Sequence, residues 1–165
     1  MPVYYFTFHA YGTWLPDRPE GSYTYHKGWQ PPGHARAETY RSQMTEQAAR
    51  FDNAYQLLIL ETLLNGQPLQ DYELYALATD ESHAYIVIAW RDEREPVRVR
   101  VRVRAQVKSS MTRALNQRFG KRKWFVRSAG QTPAEDNEHL DRLAHEYLPK
   151  HTGLYWCKSK KRNEA

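Results

Sequence analysis

Two β-rich runs, residues 72–78 and 82–90, separated by the polar triplet Thr79-Asp80-Glu81, constrain this chain more than any other feature. Leu74 and Ala76 alternate onto one face of the first run, and the pair reads as an antiparallel hairpin. A sheet with an apolar face must bury it against another layer. The segment just before the hairpin supplies one: Asp52 or Asn53 can cap a helix whose apolar positions Ala54, Leu57, Leu58, Leu60 and Leu64 keep helical spacing. Gly66 stands where a C-terminal cap belongs.

The remaining elements arrange themselves around that core. Residues 3–11 are aromatic and β-branched and end at Gly12, the signature of a first strand. Four prolines and three glycines between residues 14 and 33 argue for a long loop, set at residues 12–34, and a weak helical stretch spans 35–50. The run VRVRVRVR at 97–104 has the period of a strand, whereas 105–119 favours helix and ends at Gly120. Residues 124–127 can form a short last strand. Thr132 and Pro133 then open a helix in the order of an N-cap and first helical position, and that helix contains Tyr147. The sum is an α+β order that suits a ferredoxin-like or RRM-like antiparallel sheet, with helices on one face and a C-terminal helix carrying the tyrosine. Residues 1–157 are expected to form one domain, followed by a basic tail at 158–165.

Hydrophobic residues make up 41% of the 165-residue chain and charged residues 26%, which excludes a disordered or fibrous class. No apolar run approaches the roughly 20 residues of a membrane span. The N-terminus lacks the basic-then-apolar order of a signal peptide, so a cytoplasmic location is expected. Cys157 is the one cysteine, which excludes an intramolecular disulfide and a multi-cysteine zinc site. From 96 to 127 there are eleven Arg or Lys residues and no Asp or Glu. Such a field suits a polyanion, with Arg113, Arg118, Lys121, Arg122 and Lys123 as phosphate-contact candidates. The bland alternative is a solvated helix face. Twelve tyrosines and five tryptophans exceed what a core of this size needs, so Tyr23, Tyr25 and Trp29 in the loop are candidates for stacking on unpaired bases. Core packing or loop clamping is the competing reading for them.

Three segments carry a resemblance: DESHAYIVIAW at 80–90, HLDRLAHEYLPKHTGLYW at 139–156, and the opening YYFTFHAYGTWLPD. Together they resemble the single-tyrosine HUH transposases of small bacterial insertion sequences, including the REP-associated tyrosine transposases. The first is similar to that family's central strand, in which two histidines flank one bulky residue and share a strand face. The second is similar to its catalytic helix, with Tyr147 in the nucleophile's place, 64 residues after His83. The resemblance implies an endonuclease and strand transferase that nicks and rejoins single-stranded or hairpin DNA through a 5′-phosphotyrosine link. It also implies a Mg²⁺ or Mn²⁺ ion held by His83 and His151, because a phenol is a weak nucleophile at neutral pH. His9, on the neighbouring first strand, is a further metal or site-lining candidate. Both monomers and dimers that exchange the tyrosine helix occur in the family, and a homodimer is preferred here.

One position departs from the pattern. Tyr85 occupies the place of the second histidine, and a neutral phenol is a poor ligand for Mg²⁺ where an imidazole presents a lone pair. Two outcomes follow: a site that still cleaves with His83, His151 and His9, or a domesticated, cleavage-deficient protein that binds a DNA or RNA hairpin. Without the resemblance, Tyr147 on the stripe Leu140, Leu143, Ala144 would read as a core-edge tyrosine. His83 would read as an ordinary histidine near a turn. Pro149 disfavours helical geometry at Leu148, between Tyr147 and His151. An RNA-binding module on an RRM-like sheet is a third class, though no RNP-type signature is present.

Overall fold

The computed structural model describes residues 2–24, 26–90 and 96–158. Tyr25 and residues 159–165 of the expected tail lie outside the described residues. The order is β1 (Val3–Ala10), β2 (Ser22–Thr24), β3 (Gly28–Gln30), α1 (His34–Gln43), α2 (Asn53–Gln70), β4 (Tyr72–Thr79) and β5 (His83–Trp90). Then come α3 (Pro96–Phe119), β6 (Phe125–Pro133), α4 (Asn137–Arg142) and β7 (Tyr155–Cys157). Between α4 and β7 the chain makes a π-helical turn (Leu143–Tyr147) and a 3₁₀ turn (Leu148–Lys150).

The main sheet has strand order β6-β1-β5-β4-β7, with every neighbouring pair antiparallel. With α2 and α3 as crossovers, β1, β4, β5 and β6 form the split β-α-β arrangement of a ferredoxin-like fold. This is the expected α+β class with an antiparallel sheet. Strand alternation sorts side chains cleanly. Phe6, Phe8, Ile86, Ile88 and Trp90 lie in one buried cluster with Ile59, Leu63, Val107, Met111 and Leu115 of α2 and α3. The opposite face packs Ala76, Ala78, Tyr85 and Val87 against Ala144 and Leu148, so the C-terminal helical segment lies on the other side of the sheet from α2 and α3.

Several local expectations are corrected. The alternating run at 97–104 is helical: Val101 is 44% exposed and Val103 is buried, although a strand would put both on one face. The stripe Val103, Val107, Met111, Leu115 recurs every fourth residue, and burying it outweighs the local β pattern. Gly66 does not cap α2, which runs through Pro68 to Gln70 and ends at Asp71 with φ 53°. Gly66 instead makes room for Tyr72, whose hydroxyl would meet a Cβ there at 2.6 Å and donates to the Leu63 carbonyl at 2.7 Å. Leu57 is 47% exposed, since the buried stripe of α2 is Gln56, Ile59, Leu60 and Leu63.

Thr132 and Pro133 open no helix. They extend β6, where a proline is tolerated because the strand is at an edge, and Asp136 caps α4 by accepting the His139 N–H at 2.7 Å. Tyr147 closes a π-helical turn rather than standing in an α-helix, since Pro149 has no N–H for the helical ladder. The long loop holds the β2–β3 hairpin, and β7 adds a strand that the sequence did not foretell. Among the described residues, no helix is long and apolar enough to cross a membrane.

One buried polar knot joins the layers. The Gln56 side-chain oxygen accepts from the Thr79 hydroxyl at 2.8 Å and from the Leu154 N–H at 2.9 Å, while its amide donates to the Phe51 carbonyl at 2.8 Å. Thr79 donates its own N–H to Leu154, and its carbonyl accepts from Gly153, both at 2.9 Å. A side chain at Gly153 would stand 2.4 Å from that carbonyl. Gln56→Leu leaves the Phe51 carbonyl and the Leu154 N–H short of partners, so stability should fall by about 1–3 kcal/mol. A urea midpoint equal to that of the natural chain would deny the knot this role.

Candidate active site on the open face of the sheet

Odd-numbered residues of β1 and β5 point away from the α2–α3 core, and the register sets His9 directly opposite His83. Their rings meet edge to face, with centroids 4.4 Å apart. Tyr85, two residues further along β5, stacks 5.3 Å from His83. Over this face lies the C-terminal segment, anchored by Ala144 and Leu148. It sets the His151 ring flat against Tyr85 at 3.8 Å and brings Tyr147 edge-on to both His151, at 5.3 Å, and Tyr5, at 6.0 Å. Tyr147 is 44% exposed, so its ring is reachable from solvent. Within one chain, the tyrosine segment covers its own sheet.

Asp80 is the charged centre of the cluster. In the β4–β5 turn its Oδ1 accepts from the Ser82 N–H at 2.7 Å and the Ser82 hydroxyl at 3.0 Å, and lies 3.3 Å from His83 Nδ1. Ser82 Oγ and His83 Nδ1 are themselves 2.6 Å apart. Its Oδ2 accepts from the Tyr85 hydroxyl at 3.4 Å and stands 3.9 Å from His151 Nδ1. Burial opposes ionisation of Asp80, but the hydrogen bonds from His83 and Ser82 prevail and hold its carboxyl well below the usual carboxylate range.

Burial, with the charges of His83 and Arg18, lowers His9 to about 4. Burial also lowers His151, against the pull of Asp80. Burial and the Asp80 charge push the Tyr85 phenol up, and burial does the same to Tyr5. At neutral pH the cluster therefore offers one carboxylate, neutral imidazoles at positions 9 and 151 and a protonated phenol at 85.

The structure thus brings together Tyr147, His83, His151, Tyr85 and His9, all five residues expected at the site. It does not gather the basic candidates there. Arg113 lines a groove between α3 and β6. Arg122 donates to the Gln47 carbonyl at 2.6 Å, and Lys123 donates to Thr45 Oγ1 at 2.6 Å, tying both to the segment after α1. Arg118 and Lys121 are exposed. Tyr23 and Trp29 are 77% and 61% exposed on the β2–β3 hairpin, away from the core. Asp80, Ser82, Tyr5 and Arg18 were not anticipated. Tyr5 could have been found from its alternation with His9, and Asp80 from its tendency to bond its own turn two residues on.

The side chains as they stand do not fit a preformed Mg²⁺ or Mn²⁺ site. The Tyr85 ring fills the space between His83 and His151, and Asp80 directs its oxygens to Ser82, His83 and Tyr85. Among the described residues, no three His, Cys, Asp or Glu side chains are grouped to hold an ion.

No protein-family model matches the chain, and no curated protein matches it. Among solved structures, that of a REP-associated tyrosine transposase bound to a REP hairpin overlays 90% of this chain and 70% of its own length. The overlay has 9% sequence identity and a TM-score of 0.42.

The lowered His9 fixes a pH window. The unfolded chain takes up a proton on this histidine near pH 6.5, the folded chain only near about 4, so this contribution is lost as pH falls from 6.5 toward 4. After solvent screening it is on the order of 1 kcal/mol, roughly 2–4 °C in melting temperature. Between pH 7 and pH 5, the natural chain should lose more of its melting temperature than His9→Asn. Equal losses would contradict the assignment.

Proposed function

We propose that this protein is transposase-like: it binds hairpin DNA and nicks and rejoins a single strand through Tyr147. The convergence of Tyr147 and His151 with His83 and Asp80, from segments far apart in sequence, on the open face of an antiparallel sheet carries this reading. The motif resemblance and the carboxylate-free basic stretch support it.

In the reaction, the Tyr147 hydroxyl attacks phosphorus and its proton passes to the neutral His151 imidazole, whose Nε2 is buried without a hydrogen-bond partner. The bond from phosphorus to the 3′-side oxygen breaks. That oxygen takes up the proton, giving a free 3′-hydroxyl and a 5′-phosphotyrosine. The exchange of one phosphodiester for another makes the step reversible. The resemblance also implies Mg²⁺ or Mn²⁺, which the side chains around Tyr85 do not fit as they stand.

That same observation favours a second reading, a cleavage-deficient hairpin-binding protein. Tyr85 stacked at 3.8 Å on His151 is the feature behind it. A covalent-adduct gel with pooled single-stranded hairpin oligonucleotides separates the two readings. The first predicts an adduct with the natural protein, none with Tyr147→Phe, and an Mn²⁺-stimulated increase of at least about tenfold in Tyr85→His, by analogy with the several kcal/mol a Lewis acid supplies. An adduct that survives Tyr147→Phe removes Tyr147 from the role. Hairpin binding with an adduct only in Tyr85→His establishes the second reading.

A further inference from the structure

Two cavities lie outside the Tyr147 cluster and share one residue, Arg127. The first, of about 640 Å³, is a groove between α3 and the edge strand β6. Arg104, Lys108, Thr112 and Asn116 recur every fourth residue on α3, one stripe around from the buried Val103, Val107, Met111 and Leu115, and all four line it. Arg113 and Arg127 complete a set of four cations, and no carboxylate lines the groove. Among the described residues none of the four forms an ion pair. Lys108 is fixed in place by donating to the Val126 and Arg127 carbonyls at 2.5 and 3.0 Å. Burial, with the charges of Arg104 and Arg127, lowers its pKa, a repulsion that a bound anion would relieve.

The second cavity, of about 470 Å³, opens at the end of β1 and is walled by Tyr11, Trp14, Tyr40, Gln43, Lys123 and Arg127. Tyr40 is 45% exposed, and Lys123 lies 5.4 Å over the Tyr11 ring. Aromatic walls, an amide and a cation suit a flat heteroaromatic ring attached to a phosphate. The groove suits a chain of phosphates, because unpaired cations beside hydroxyl and amide donors match phosphodiester oxygens.

We propose that groove and pocket form one bipartite DNA site: the groove between α3 and β6 holds the backbone of a hairpin stem, and the adjoining aromatic pocket takes one unpaired base. This rests on the reading that the protein engages hairpin DNA, and it places that engagement on residues apart from Tyr147. Lys123, bound to Thr45, then belongs to the pocket wall rather than to the stem groove.

The test is fluorescence anisotropy with pooled DNA hairpins carrying one bulged 2-aminopurine, alongside the same hairpins with an abasic bulge. The double variant Arg104→Gln/Arg113→Gln, confined to the groove, should weaken both probes alike and make the slope of log affinity against log salt shallower by about 2, one phosphate contact per cation. Trp14→Ala should weaken only the base-bearing probe, by roughly 5- to 150-fold, and remove the quenching of 2-aminopurine seen with the natural chain. Tyr40→Ala serves as the second pocket variant, and circular dichroism melts confirm that each variant is folded. Folded variants that bind as the natural chain does overturn the bipartite site and leave the proposed function standing. Groove-dependent binding without a Tyr147 adduct keeps the site and removes the cleavage reading. A natural chain that binds no hairpin, or is displaced as well by polyglutamate as by unlabelled hairpin, overturns the site.

Discussion

Gln56 holds the end of β4 and the chain after the 3₁₀ turn through a single side-chain oxygen. It is 4% exposed and Thr79 is fully buried, so these hydrogen bonds form where water cannot replace them. Everything on the open face hangs from that junction. Thr79 precedes Asp80, which centres the site, and Leu154 follows three residues after His151. The helix α2 on one side of the sheet therefore sets the distance between the tyrosine segment and the β4–β5 turn on the other. The close approach of Gly153 to the Thr79 carbonyl leaves no room for a side chain, which keeps the segment seated.

On that frame, burial and the Asp80 charge together set the electrostatics of the cluster. The Asp80 carboxylate is ionised because Ser82 and His83 donate to it, and its charge helps keep the Tyr85 phenol protonated. Tyr85 is what separates this arrangement from a metal centre of two histidines on one strand. Its ring joins His83 to His151 by stacking, and its hydroxyl ties Asp80 into the same layer. Stacking and the bonds to Asp80 hold the cluster together, while His9 Nδ1 and His151 Nε2 are buried without hydrogen-bond partners. Tyr147 stands at its rim, partly exposed.

The hairpin of β4 and β5, the first strand and the capped helix α2 were legible because each has a clean period and a chemical boundary, such as the Asp52 carboxylate that accepts the Tyr55 N–H. The alternating valines of α3 misled because the deciding signal was not local: the stripe that continues through Met111 and Leu115 only matters once α2 and the sheet are there to cover it. Thr132-Pro133 had the form of a helix start, yet β1 offers β6 a longer ladder than four residues. β7 is three residues long and exists only by pairing with β4. Within the site, strand alternation made the shared face of His83 and Tyr85 readable. The placement of His151 beyond Pro149 was not, because it depends on the π-helical turn and on Leu148 packing under it. The charge count between 96 and 127 announced a basic surface, but only the fold shows that Arg104, Lys108 and Arg127 meet across one groove while Arg122 and Lys123 turn to another segment.

The central claim is that a single DNA strand crosses the open face at Tyr147. A crystal structure of the chain with a DNA hairpin bearing a single-stranded extension tests it most directly. The account predicts a phosphodiester whose phosphorus stands within about 3.5 Å of the Tyr147 hydroxyl oxygen, the separation of a near-attack geometry, with His151 beside it. A strand that leaves the hairpin along another surface, with Tyr147 facing empty solvent, would contradict it.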